Sequence, residues 1–137
     1  MFRQTVIVVG LAFSALLAGC GASDPGFAGY WVNDGRGTIK CGKIEKADDK
    51  FIFKHKDYIA FFETVHDRTD LIVFDKTKNT WVINNGLGLS SAVFLENPNK
   101  LIAGESAGDH FDRTDERGFE ACKAKIETKK NRPSVRF

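Results

Sequence analysis

The chain has 137 residues, of which 42% are hydrophobic and 28% are charged, and its formal net charge is +2. This length supports one domain whose core is large enough to fold without a structural metal. Arg3 contributes to the charge but lies in a segment that we expect to be removed. The mature protein is then nearly neutral, so its charge gives no argument for binding to nucleic acid.

The N-terminal segment is typical of an export signal. Arg3 precedes an apolar run of twelve residues, 6–17. As a helix this run would be roughly 18 Å long, which is too short to cross a hydrocarbon core of about 30 Å. A basic start, a short apolar run and small residues before a cleavage point favour a cleaved secretory signal over a membrane span or a buried strand.

The end of this segment carries a short motif, Leu17-Ala18-Gly19-Cys20. It resembles the lipobox of bacterial lipoproteins. The resemblance implies that the signal peptide 1–19 is removed, that Cys20 is acylated, and that the lipid anchors the protein in the membrane. In enterobacterial lipoproteins an Asp after this cysteine marks retention in the inner membrane. Gly21 stands at that position here, so the resemblance implies the outer membrane of the cell envelope.

Acylation of Cys20 leaves Cys41 and Cys122 as one possible pair in an oxidising compartment. The chain has no CxxC spacing, and no histidine stands at ligand spacing from either cysteine. A disulfide is therefore favoured over two free thiols or a metal site, and it would attach the last segment of the domain to the second strand. No metal or other cofactor is expected.

Residues 27–130, between a turn-rich tether at 20–26 and a basic tail at 131–137, have the pattern of an all-β domain. Short runs rich in β-branched and aromatic residues alternate with turn-forming residues. The predicted strands are 30–33, 36–46, 51–54, 58–65, 71–74, 80–84, 87–95, 101–105 and 110–113. Eight or nine strands with short connections indicate an antiparallel meander, and closure into a barrel would remove its exposed edges.

Four connections carry a specific prediction. Asp34-Gly35 and Asn85-Gly86 suit two-residue type I′ turns, in which both central residues need positive φ. The polar runs 67–70 and 76–79 are interpreted as longer turns.

The pattern changes near the C-terminus. Phe119, Cys122 and Ile126 recur at steps of three and four residues within 117–129, with lysine and glutamate between them. We expect one short amphipathic helix whose apolar side packs against the barrel, with a final strand as the alternative.

The first predicted strand begins with Gly29-Tyr30-Trp31. This triplet is similar to the GxW signature of lipocalins and lipocalin-like bacterial domains. The resemblance implies that Trp31 plugs the closed end of the barrel beneath an arginine from a late strand, for which Arg113 is the candidate. The alternative is that Trp31 is an ordinary core aromatic.

Several predicted strands are apolar on both faces, notably 58–62 and 71–74, so something must cover each face. The helix, a ligand in the lumen and a partner protein are the candidates. Aromatic-lined clefts are common ligand sites. The candidate ligand-binding residues are therefore Trp31, Phe51, Phe53, Phe61, Phe62 and Arg113.

No catalytic motif accompanies the three histidines, because His66-Asp67 and Asp109-His110 are neighbours on strands and point to opposite faces. We therefore expect no enzyme activity. The runs Asp67–Asp70 and Asp112–Asp115 repeat the sequence Asp-Arg-Thr-Asp, which suggests either a pseudo-symmetric ligand site or a coincidence of turn-forming composition.

Three classes of function follow. The first is a non-catalytic, protein-binding lipoprotein of the envelope, of the inhibitor, immunity or accessory type. In outline it resembles the bacterial lysozyme inhibitors, whose sequence motifs are not evident here. The second is a lipocalin-like carrier of a small apolar or amphiphilic ligand. The third, an enzyme, has no supporting motif. The basic C-terminal run, which continues into the tail, would suit either anionic lipid or simple solvation.

Overall fold

The computed structural model describes residues 23–35, 37–84, 90–104 and 109–131. In this part of the chain eight strands pair in sequence order and close into one antiparallel barrel, which confirms the predicted architecture. The strands are β1 (Gly29–Asp34), β2 (Thr38–Ala47), β3 (Lys50–Ile59), β4 (Thr64–Asp75), β5 (Thr80–Asn84), β6 (Ser90–Asn97), β7 (Lys100–Ala103) and β8 (Asp109–Thr114), and the helix α1 (Glu116–Lys130) follows. The predicted lipobox and Cys20 lie outside the described residues.

Closure of the barrel is made by the first and last strands, where Trp31 lies opposite Arg113 in antiparallel register. Successive residues of a strand alternate between the lumen and the outer surface. Most of the buried core lies in the lumen, and a second cluster lies between the outer wall and α1. None of the described helical residues forms a stretch that is both long and apolar enough to cross a membrane.

The division of residues 51–74 into three strands is wrong. The chain forms two long strands, β3 and β4, with a turn at 60–63 where we predicted strand. Glu63 in this turn has φ 52°. The polar residues at 55–57, interpreted as lying between strands, and those at 67–70, interpreted as a turn, belong to β3 and β4. The polar residues that face the lumen pair with one another there.

The predicted two-residue turn at Asp34-Gly35 is also wrong. Asp34 is the last residue of β1 and lies opposite Ile39, so four residues connect the paired positions. The Gly35 N–H donates to the Thr38 carbonyl at 2.9 Å. Neither Asp34 nor Gly35 has the positive φ that a type I′ turn requires at both central residues. The other predicted turn of this type, Asn85-Gly86, lies outside the described residues.

The predicted C-terminal helix is confirmed, and the alternative of a final strand is wrong. The Asp115 side chain caps α1 by accepting from the Gly118 N–H at 2.8 Å. Ile126 is buried against the outer wall, and Phe119 packs at the edge of the same cluster. Cys122 is bonded to Cys41 on β2, with their Cα atoms 5.8 Å apart. The disulfide therefore joins the helix to the second strand, as predicted.

The two ends of the barrel differ in what fills them. At the closed end, Phe27 and Trp31 are fully buried, and Arg113 bonds to the Pro98 carbonyl of the β6–β7 turn. The opposite end, where β1 and β3 finish, is called the open end here. The β1–β2 and β3–β4 connections lie side by side there, and the Ala60 N–H donates to the Gly37 carbonyl at 3.0 Å. The first described residues lie at the closed end, where the Asp24 Oδ2 is 3.5 Å from the Lys46 Nζ.

Candidate functional site

At the closed end of the barrel Arg113 lies over Trp31, two of the candidate residues. The guanidinium carbon of Arg113 lies 4.3 Å from the centre of a Trp31 ring. Arg113 also donates three hydrogen bonds of 2.7–2.9 Å, to the carbonyls of Gly26, Ala28 and Pro98. A Cβ on Gly29, which has φ 141°, would lie 2.6 Å from the Arg113 Nη1. The glycine of the triplet therefore leaves room for the arginine.

Replacement of Arg113 should be costly because one side chain ties the N-terminal segment and the β6–β7 turn to the barrel. We expect Arg113→Ala to lower the free energy of unfolding by about 2 kcal/mol, since hydrogen bonds from a charged donor contribute about 1.5–3 kcal/mol each and this site is partly solvated. Urea unfolding measures the change. Arg117→Ala, on the exposed start of α1, should shift stability by less than about 0.5 kcal/mol. Equal effects of the two variants would contradict a tying role.

The part of the lumen next to the closed end is filled with aromatic side chains. Phe51 and Phe53, two of the candidate ligand-binding residues, are buried there. The Phe51 ring lies 5.3 Å from both the Phe27 and Trp81 rings, and the Phe53 ring lies 5.3 Å from Phe111, in edge-on contacts. These rings contact one another and form the core of the barrel.

The part of the lumen next to the open end contains a cavity of about 230 Å³ with ionisable walls. This space, the mouth cavity, is lined by Lys40, Phe53, His55, Asp57, Arg68, Asp70, Ile83, Ser91, Ala103, Gly104, Asp109 and Phe111. On one wall Lys40 and Asp109 form an ion pair at 2.5 Å. The barrel thus changes from an apolar to a charged interior along its axis.

A buried triad forms one wall of the mouth cavity. The His55 Nδ1 lies 2.6 Å from Asp57 Oδ1, and the His55 Nε2 lies 2.7 Å from Asp70 Oδ2. Asp57 and His55 are two residues apart on β3 and so share a face, while Asp70 comes from the neighbouring strand β4. The His55 ring also lies 4.7 Å from the Phe53 ring.

The triad holds His55 in its charged form. Burial favours the neutral imidazole, but the hydrogen bonds and the negative charges of Asp57 and Asp70 outweigh it and raise the pKa of His55 to about 9. Both ring nitrogens therefore donate at neutral pH, one to each carboxylate. An imidazole locked between two acceptors has no free nitrogen with which to act as a general base.

The triad was not predicted from the sequence, although the sequence contains a signal for it. Phe51, Phe53, His55 and Asp57 alternate with outward-facing residues, and all four are buried. A period of two that continues from phenylalanine into histidine and aspartate indicates that the polar residues also face the lumen. The run 55–57 consists of histidine, lysine and aspartate, which do not suggest a strand when each residue is considered alone.

The candidate residues Phe61 and Phe62 lie in the β3–β4 turn, away from the lumen. They are 87% and 66% exposed, and their ring centres are 4.9 Å apart in an edge-on pair. The turn is braced by the hydrogen bond from Ala60 to Gly37 and by one from the Glu63 N–H to the Ala60 carbonyl at 3.2 Å. Two large apolar side chains are thus presented to solvent on a supported turn.

The two copies of Asp-Arg-Thr-Asp do not form one site. Arg68 lies at the rim of the mouth cavity, and Arg113 lies at the closed end. Part of the basic C-terminal run makes internal contacts: Lys125 bonds to Asp34, and Lys123 pairs with Glu120 at 3.0 Å. Arg132 and Arg136 lie outside the described residues. Within the described ranges, no three histidine, cysteine or acidic side chains are grouped to hold a metal ion.

Three comparisons, with protein-family models, with curated proteins and with solved structures, find no match to this chain.

Proposed function

We propose that this chain is a non-catalytic, protein-binding lipoprotein of the bacterial cell envelope, anchored in the outer membrane through Cys20. Its partner binds at the open end of the barrel. The partner would be a protein that the chain inhibits, neutralises or assists. The observation that carries the proposal is the exposed Phe61–Phe62 pair.

Exposed aromatic pairs have a specific physical meaning. A phenylalanine in contact with water forgoes about 1.5–3 kcal/mol of burial free energy, and neither ring of this pair is needed for the core. Contiguous exposed apolar groups mark interaction sites, and aromatic residues are enriched in the centres of protein interfaces. The supported turn limits the entropy lost when a partner binds, which favours affinity.

The placement of the pair favours a partner other than the membrane that holds the lipid. Asp24, four residues after Cys20, lies at the closed end of the barrel. The Phe61–Phe62 pair follows the far end of β3, a strand of ten residues that spans about 30 Å. A short tether at the closed end would therefore direct the pair away from the anchoring membrane and toward proteins of the envelope.

The carrier interpretation receives less support from the lumen. A carrier of apolar ligands needs an apolar space, whereas Phe51 and Phe53 pack into the core and half of the residues that line the mouth cavity are charged. Burial of an apolar ligand against ionised side chains would cost desolvation energy without compensation.

Site-specific photo-cross-linking in cells tests the proposal. A benzophenone amino acid in place of Phe61 should give one discrete cross-linked product in membranes, and the same group in place of Asn99, in the closed-end turn, should not. Without irradiation, a Cys20→Ala chain should move to the soluble fraction. No product from position 61, or the same product from both positions, would refute a partner at the open end. A Cys20→Ala chain that stays in the membrane without cross-linking would refute the lipid anchor.

A further inference from the structure

We propose that the mouth cavity is a binding site for one cationic group, a guanidinium or a primary ammonium. The identification of its source as a basic side chain of the partner protein rests on the function proposed above. The site itself rests on the charges and the space at the open end of the barrel.

The buried charges beside the cavity do not balance. Asp57 and Asp70 are only 4% and 8% exposed, and both are paired with the single imidazolium of His55. Among the described residues neither carboxylate has a second ion-pair partner. Two buried negative charges therefore share one buried positive charge, and the charge that balances the lining as a whole is that of the exposed Arg68. Lys40 does not correct the deficit, because its ammonium is paired with Asp109. A buried charge without full compensation is costly, and a cation that enters the cavity would supply the compensation.

The cavity has the size and the walls that such a group requires. The buried core of the lumen consists of aromatic and aliphatic side chains, yet a space of about 230 Å³ remains beside the carboxylates. Phe53 and Phe111 line it together with the charged groups. Carboxylates supply charge-assisted acceptors for a guanidinium, and aromatic rings supply faces on which its plane can stack.

Arg68 supplies an internal cation at the rim. It lies opposite His55 in the β3–β4 register and lines the cavity, but its side chain is exposed. None of the ion pairs found among the described residues includes Arg68. Its charge reduces the field of the carboxylates, but no ion pair joins it to Asp57 or Asp70. An incoming cation must therefore compete with Arg68, so removal of this charge should strengthen binding.

Titration of the full chain, purified in a non-ionic detergent, tests the site with methylguanidinium and methylammonium chlorides. Chemical shifts in ¹H–¹⁵N spectra should change for residues that line the cavity and saturate, with sodium chloride as the ionic-strength control. Asp70→Asn should weaken binding at least tenfold, while Asp112→Asn, an exposed β8 change, should not alter it. Arg68→Gln should strengthen binding several-fold. Because Arg68 is exposed, this variant tests the site even where Asp70→Asn does not fold.

The outcomes separate this inference from the proposed function. Shifts that do not saturate, that match those caused by sodium chloride, or that are unaffected by Arg68→Gln would overturn the cation site. A cross-link from position 61 that persists together with such results would leave the proposed function standing. Saturable binding in a chain that gives no cross-link from position 61 would support the site and refute the protein partner as the source of the cation.

Discussion

Loss of the disulfide between Cys41 and Cys122 is expected to lower the free energy of unfolding by about 4 kcal/mol, because the bond closes a loop with a sequence separation of 81 residues. Domains of this kind are usually stable by about 5–15 kcal/mol, so this is a large fraction of the total. Urea unfolding of the full chain with and without a reductant measures the difference.

The double variant Cys41→Ala/Cys122→Ala provides the matched control. Its free energy of unfolding should equal that of the reduced wild-type chain, and it should not change when the reductant is added. The barrel should persist in this variant under native conditions, because β1 and β8 close it without help from α1 and because Ile126 still packs on the wall. If the wild-type chain instead unfolds at the same urea concentration with and without the reductant, the bond constrains the unfolded chain less than its loop length implies.

The parts of the fold that follow local rules could be predicted from the sequence. Strands that alternate with turns every few residues indicate a meander, and a closed meander has no exposed edges. The step of three and four residues through Phe119, Cys122 and Ile126 indicates a helix with one apolar side, and the cysteine count indicates its attachment to β2. The outer faces of β2 and β3 at Ile39 and Tyr58 are covered by this helix, one of the covers expected for apolar strands.

The contents of the two ends of the barrel could be predicted only in part. The contact between Trp31 and Arg113 could be predicted because the short motif that ends in Trp31 indicates it. The triad was missed although the alternation through Phe51, Phe53, His55 and Asp57 indicates half of it, because a charged run resembles a loop when each residue is considered alone. Its third member, Asp70, comes from the partner strand, which no local pattern indicates. Phe61 and Phe62 resemble buried strand residues by type, and their exposure depends on a turn at 60–63 that no glycine, proline or asparagine marks.

Stability should fall as the pH rises from about 6.5 through 9, because the triad favours the protonated form of His55. The pKa of His55 is about 9 in the folded chain, against an ordinary value of 6.5 that the unfolded chain should show. The folded state therefore binds a proton more tightly than the unfolded state. The stabilisation is complete below pH 6.5, is lost as the pH rises through 9, and reaches about 3 kcal/mol in total.

Urea unfolding at intervals between pH 6 and pH 9.5 tests this expectation in the wild-type chain and in two variants. His66→Gln changes an exposed histidine of β4 and should keep the same loss of stability with pH. His55→Gln should remove that pH dependence and lower stability near pH 6 by about 3–5 kcal/mol, because Asp57 and Asp70 remain buried without their cation. A wild-type stability that stays level across this range, or a slope that survives in His55→Gln, would mean that His55 is not the group that titrates. If the pH dependence of the free energy of unfolding disappears in His55→Gln, the charged interior of the open end contributes to the stability of the barrel. The variants that test cation binding must then be compared at one fixed pH well below 9.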